Sequence, residues 1–469
     1  MATISGTAGA DSLFGTSDAD SISGLASADT LDGLGNNDTL LGGTGADLLI
    51  GGPGNDRLDG GDGADTASYQ GAPGGVSVSL GYVGGAYTST VSGAAGQDTL
   101  ISVERIQGSD FADTLIGVSS LPDFTLRLQG YAGNDSLSGP STTTWQVVLS
   151  YEDAPGAVLV NLATGSAQDG YGNTDNIANF THVLGSSNAD TLIGGASNEL
   201  LVGGPGNNRL DYTSGTNDTA NYANSTGAAV VNLATGTAND GQGGTDTLLN
   251  IESAMGSIYG DTLIGNDANN VFLPLGGDNR VDGGLGADRV AYDLWYYQQT
   301  APVSGVNINL TAGAAIGPYG GANTDTLISI ERATGTAFAD TMYGDAVNNR
   351  FNGRAGDDVL NGGPGSDFAE YFNAPVGVVV NLTAGTANDG EGGTDVLISM
   401  ESAIGSNFAD TITGAVGPAY TNSVLFGGQG NDLLISPLTA AQLQAANAFV
   451  SVSLTPTGAA TVDLAQGTA

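Results

Sequence analysis

The chain has 469 residues, no cysteine and a formal charge of −40, set by 49 acidic residues against nine basic ones, all of them arginine. So acidic a surface excludes nucleic acid and anionic lipid as partners, because both require positive charge, and the lack of cysteine excludes disulfides, thiolate zinc sites and cysteine nucleophiles. No run of about 18 apolar residues is present to span a membrane as a helix, and MATISGTAGADSLFG has neither the basic nor the apolar region of a Sec-type signal.

Of the acids 41 are Asp and eight are Glu, and Gly supplies 77 residues. An Asp bias of this size points to turns rather than to helices. That much Gly without a period implies disorder. Here it has a period.

From Gly6 to Ser68 the chain divides into seven consecutive nonapeptides with Asp at the sixth place: Asp11, Asp20, Asp29, Asp38, Asp47, Asp56 and Asp65. Two residues later comes an apolar residue, Leu13, Ile22, Leu31, Leu40, Leu49 and Leu58, then Ala67. The units GGTGADLLI, GGPGNDRLD and GGDGADTAS match the pattern G-G-x-G-x-D-x-U-x, where U is apolar. In register seven times running, the pattern is far more specific than any single copy.

Residues 69–435 follow a second period of roughly 70–80 residues, as repeat arrays do. Five units open at Tyr69, Tyr151, Tyr222, Tyr292 and Tyr371. An alternating strand follows, such as VLVNL (158–162) or VVVNL (378–382), then in most units a turn such as DGQGGTD (240–246) or DGEGGTD (389–395). Each unit closes on a phrase like ISMESAIGSNFADTITG (398–414), and nonapeptides fill the space to the next Tyr. In the closing phrases Glu104, Glu252, Glu331 and Glu401 lie nine residues before Asp113, Asp261, Asp340 and Asp410, so Glu takes the Asp place of a degenerate turn. The reading is one continuous solenoid with no linker.

Residues 436–469 form a tail. Ser436 suits an N-cap and Pro437 a first helical position, so 436–448 is read as one short helix. VDLAQGTA (462–469) nearly repeats VNLATGTA (231–238), the start of a sixth large unit.

A nine-residue unit splits into a tight turn and a short strand. Gly admits backbone angles other residues avoid and brings peptide carbonyls together. Asp adds a carboxylate on a short stem, and six to eight such hard oxygens are what Ca²⁺ takes. Two nonapeptides make one coil, which stacks Asp38 on Asp56 along one edge and Asp47 on Asp65 along the other. The strand spacing of about 4.8 Å suits an ion shared by adjacent turns.

These repeats resemble the RTX (repeats-in-toxin) calcium-binding nonapeptide family. The resemblance implies an all-β, elongated, right-handed parallel β-roll or β-solenoid, with Ca²⁺ held between successive turns by the sixth-position Asp and turn carbonyls. Carried over residue by residue, the ligands are Asp11, Asp20, Asp29, Asp38, Asp47, Asp56 and Asp65, then Asp288, Asp358, Asp367 and Asp432. Single turns at Asp113, Asp135, Asp190, Asp261, Asp340 and Asp410 are weaker. Asn208 and Asn349 stand where the family has Asp, so their turns are expected to be weak. The resemblance also implies secretion to the extracellular space by type I machinery, without an N-terminal signal.

A catalytic centre is not evident. The single His182 excludes an HExxH zinc protease, and no GxSxG is present. Trp145, Trp295, Tyr296 and Tyr297 interrupt the repeat and are read as insertions or interface residues. The leading expectation is a calcium-binding structural protein of a surface layer, filament or matrix, with itself as partner. The alternatives are a Ca²⁺-dependent adhesin for a surface polysaccharide, and a solenoid polysaccharide lyase or epimerase.

Overall fold

In the computed structural model of the chain, the described residues are 2–83, 86–93, 95–117, 126–140, 147–197, 199–212, 218–293, 301–319, 323–415, 422–436, 449–453 and 459–464, and every regular element among them is a β-strand. The chain divides into two compact units, Met1–Asn221 with Thr237–Ile251, and Tyr222–Gly236 with Glu252–Ala469. The helix read over 436–448 falls almost wholly on residues outside the described ones, as do Trp145, Trp295, Tyr296 and Tyr297; Ser436 ends the strand Asn431–Ser436.

In the first unit one short strand precedes the seven nonapeptides and each nonapeptide contributes one more. These are β1 (Thr3–Ser5), β2 (Ser12–Phe14), β3 (Ser21–Ala26), β4 (Thr30–Asp32), β5 (Thr39–Thr44), β6 (Leu48–Ile50), β7 (Arg57–Asp62) and β8 (Thr66–Ser68). Odd strands stack parallel on odd ones, with Thr3 opposite Ser21, Ser21 opposite Thr39 and Thr39 opposite Arg57. Even strands do the same, with Ser12 opposite Thr30, Thr30 opposite Leu48 and Leu48 opposite Thr66. The partners are 18 residues apart, so two nonapeptides form a coil, as the period requires. Side chains alternate across a strand, and the middle residue faces in: Ile22, Leu31, Leu40, Leu49 and Leu58 are all fully buried. One such side chain, worth about 1.5–3 kcal/mol on burial, is a thin interior for nine residues.

The larger units add something the parallel pattern did not predict. After Tyr69 come β9 (Val76–Val83), β10 (Ala86–Gly93) and β11 (Gly96–Ile101), paired antiparallel in a meander. Its last strand lies parallel on β7, with Thr99 opposite Arg57, and its first lies parallel to Thr114–Gly117. The alternating strand seen in the sequence is therefore the first of three. An odd number of strands leaves the first and last pointing the same way, so the parallel stack resumes with its polarity intact. The same insertion recurs at Leu159–Asn161, Ser166–Gln168 and Thr174–Ala178.

The second unit is built alike. Its meanders are Asn307–Asn309, Ala314–Ile316 and Thr324–Ile328, then Val379–Asn381, Thr386–Asn388 and Thr394–Ile398. On the other sheet Val271–Leu273, Arg289–Ala291, Arg332–Thr334, Arg350–Asn352 and Phe368–Glu370 follow one another in parallel. Phe272, Val290, Phe351, Leu360, Val380 and Ile412 fill the interior. The repeated VDL phrase lies in the strand Ala459–Leu464, which runs parallel to Asn431–Ser436.

Candidate metal centre

The sixth-position Asp residues form a hydrogen-bonded ladder along each edge of the β-roll. The backbone N–H of each donates to the Oδ1 of the Asp one coil further on: Asp11 to Asp29, Asp20 to Asp38, Asp29 to Asp47, Asp38 to Asp56 and Asp47 to Asp65, at 2.6–2.8 Å. One carboxylate oxygen is thereby fixed by the fold. The other is not: Oδ2 of Asp29, Asp38, Asp47, Asp56 and Asp65 is buried without a hydrogen-bond partner. Asp135, Asp288, Asp358 and Asp367 have the same orphaned oxygen.

Carbonyl oxygens meet these carboxylates at the first Gly of the repeat. A Cβ on Gly33 would stand 2.5 Å from Asp38 Oδ2 and 2.7 Å from the Gly51 carbonyl oxygen. Gly is needed there for space. At the second place it is needed for conformation, since Gly43 has φ +119°. Among the described residues no three acidic or imidazole side chains converge on one point, so carbonyls must supply much of any coordination shell. A buried carboxylate oxygen without a donor, beside a carbonyl oxygen, fits a hard cation.

Electrostatics agree. Burial pushes Asp56 up to about 7, and the neighbouring Asp98 and Asp38 add to it. Burial likewise raises Asp65 to about 6 and Asp135 to about 8, the latter helped by Asp175, Asp113 and Asp169. Asp288 and Asp367 rise to about 6, and Asp358 to about 9. In each of these the ladder N–H pulls the other way, and burial outweighs it.

The sequence profile of the RTX calcium-binding nonapeptide repeat matches residues 5–40, 32–67, 183–218, 255–290, 334–369 and 421–436. The chain carries RTX calcium-binding repeats. No curated protein gives a match to it.

The RTX turns are not all equal. In the closing phrases both oxygens of the carboxylate are engaged: Asp113 accepts from the Ser109 N–H at 2.6 Å, the Ser109 hydroxyl at 2.8 Å and the Val76 N–H at 2.7 Å. Asp190, Asp261 and Asp410 are held the same way by Ser186, Ser257 and Ser406, and Asp340 by Thr336. These five tie turns together and offer no orphaned oxygen. Asp20 accepts from the N–H and hydroxyl of Thr16. Asp11 is half-buried and accepts from the Thr7 N–H, and buried Asp432 accepts from the Asp410 N–H at 3.1 Å.

Where RTX Asp is replaced by Asn, an amide fills the turn. Asn208 keeps the ladder bond from the Asp190 N–H, while its Nδ2 donates to the carbonyls of Gly204 at 2.9 Å and Gly206 at 3.4 Å. Asn349 keeps the bond to Asp345 N–H, and its Nδ2 reaches the Glu331 carbonyl. The amide satisfies oxygens that a cation would otherwise take. Glu stands in as the pattern indicated: Glu104, Glu331 and Glu401 accept from the N–H groups of Asp65, Asp288 and Asp367 at 2.8–2.9 Å.

Some ladder residues escaped the sequence reading. Asp98, Asp175, Asp246, Asp325 and Asp395, on the last strands of meanders, accept from the N–H groups of Asp56, Asp135, Asn208, Asn279 and Asp358. The signal was present: GYGNTDNIA (170–178) and GEGGTDVLI (390–398) are nonapeptides with Asp in the sixth place. The opening Tyr residues serve this ladder, since the hydroxyls of Tyr151, Tyr292 and Tyr371 donate to Oδ2 of Asp175, Asp325 and Asp395 at 2.6–2.8 Å. His182 plays no part. It is buried, its Nδ1 lies 3.1 Å from Thr181 Oγ1, and burial lowers it to about 4, which keeps it neutral.

Proposed function

We propose that this chain is a secreted, extracellular structural protein whose β-roll forms when calcium reaches the stacked turns, and that it works by binding and assembly rather than catalysis. The observation that carries the proposal is the recurring pair of a ladder-fixed Oδ1 and an orphaned, buried Oδ2. Each orphan is a charge taken from water with no donor in return. Submicromolar calcium leaves these carboxylates repelling one another. At about 1 mM, a site with Kd of about 10⁻⁴–10⁻³ M contributes roughly 0.4–1.4 kcal/mol by mass action, and about ten such sites contribute roughly 4–14 kcal/mol. That is comparable with the whole stability of a domain. Circular dichroism at neutral pH or above, in EGTA and then in millimolar calcium, tests it: most of the β-structure is expected only in calcium, and a fully folded spectrum in EGTA would refute the switch.

Export by type I machinery and self-assembly into a surface layer, filament or matrix complete this reading. Negative-stain microscopy with and without calcium tests the assembly, and a strictly monomeric species in calcium by light scattering removes it. One observation favours adhesion to a surface polysaccharide as the second reading. Phe111, Tyr259, Phe338 and Phe408 hold the same place in four closing phrases and are all exposed, and aromatic faces are suited to sugar rings. Silence on a glycan array in calcium would rule this reading out.

A further inference from the structure

One carboxylate in the last meander lies outside the nonapeptide frame. In GEGGTDVLI (390–398) Asp395 holds the sixth place, whereas Asp389 stands one residue ahead of the frame and beyond the residues matched as RTX repeat. Asp389 Oδ1 accepts the N–H groups of Glu391, Gly392 and Gly393 at 2.9, 2.9 and 2.8 Å. Three bonds to one oxygen hold the carboxylate rigid. Its Oδ2 has no hydrogen-bond partner, and the residue is 1% exposed. A Cβ on Gly393 would stand 2.7 Å from that Oδ2 and in contact with the Gly356 carbonyl oxygen, so the two oxygens face a common point. Gly356 belongs to the turn of Asp358, which is 0% exposed and has an unpartnered Oδ2 of its own.

We propose that Asp358 and Asp389, with the Gly356 carbonyl, form a calcium site between an RTX turn and a meander turn, fed by a carboxylate from each side. It rests on the reading that the RTX turns bind calcium, and adds a ligand that no nonapeptide supplies. Its two carboxylates, one from each turn, give it the ligand charge of a site between two stacked nonapeptides, so it adds one ion to those the repeats hold. Other meanders contain half of the arrangement. Asp169 matches Asp389, but its Oδ2 accepts from Asn173 Nδ2 at 3.1 Å. Asp240 has an orphaned Oδ2, but the turn it faces carries Asn208, whose amide already serves the carbonyls.

Calorimetric titration of the full-length chain with calcium, beside Asp389→Asn and Asp169→Asn, tests the site. The carboxamide keeps the oxygen that accepts the three N–H groups. Asp389→Asn is expected to bind one calcium ion fewer, and Asp169→Asn to match the unaltered chain. Equal stoichiometry and affinities in all three would overturn the site while leaving the general reading intact; an unaltered chain that binds no calcium would overturn that reading. Should Asp389→Asn fail to fold, anomalous scattering from terbium-soaked crystals of the unaltered chain decides. A peak between Asp358 and Asp389 is expected. No peak there, with terbium present at the Asp38–Asp56 edge, would overturn the site.

Discussion

At the scale of single residues, the repeat tolerates some costly choices. Leu25 and Leu34 occupy the second place of their nonapeptides, where Gly43 stands in a later one, and have φ of +85° and +72°. A β-carbon at such angles costs about 1–2 kcal/mol, and both side chains are close to half exposed, so they recover little by burial. Leu34→Gly is therefore expected to raise the midpoint of thermal unfolding in calcium, and an unchanged or lower midpoint would show that the strain is relieved elsewhere. Asp and Asn differ in an equally local way. Asn208 shows that an amide can donate to the turn carbonyls while its oxygen keeps the ladder bond. Asp47→Asn should accordingly bind fewer calcium ions yet resist unfolding better in EGTA. Loss of stability in both conditions would contradict this account of the Asn turns.

At the scale of elements, the three-stranded meander is the feature that distinguishes the larger units from plain RTX coils. Its last strand carries an Asp in ladder register near its start, and in three of the units the opening Tyr caps that Asp from inside. Tyr371 is almost fully buried, and its hydroxyl gives Asp395 Oδ2 a donor at 2.8 Å. Removing one partner of a buried hydrogen bond costs about 1–3 kcal/mol, so Tyr371→Phe should lower stability in calcium by that amount in denaturant titration. A change below about 0.5 kcal/mol, the scale of an ordinary surface substitution, would mean that the hydroxyl is not structural.

For the whole molecule, the raised carboxylates link folding to pH. Burial first, and then neighbouring carboxylates, lift Asp56, Asp65, Asp135 and Asp358 to between about 6 and about 9, from an ordinary value of 3.8. A group whose pKa is higher in the folded state adds stability below its unfolded value and loses it as pH climbs through its folded value. Without calcium the chain is thus expected to gain β-structure as pH falls from about 9 toward about 4, acid doing in part what calcium does. Calcium binding near pH 7 should release protons, which titration in buffers of different ionisation enthalpy measures. Calcium-free circular dichroism that is flat over this range, together with no proton release, would be incompatible with protonated ladder carboxylates.

The nine-residue period alone fixed a great deal: strand spacing, two nonapeptides to a coil, the buried Leu40 and Leu49, and Asp38 and Asp56 on one edge. It could do so because every contact involved is between a residue and its equivalent 18 positions on, which the period states outright. The Glu substitutions were legible for the same reason. What only the tertiary structure decided lies where partners are not periodic. The meander pairs strands antiparallel over short, variable loops, so Tyr371 and Asp395 meet across 24 residues that no fixed interval marks. Likewise, the sixth-position Asp looks alike in every copy, but Ser109 and its counterparts occupy both oxygens of some carboxylates while Oδ2 of Asp38 and Asp358 is left without a donor. Composition places a carboxylate at the turn; which neighbour reaches it depends on how the chain is folded around it.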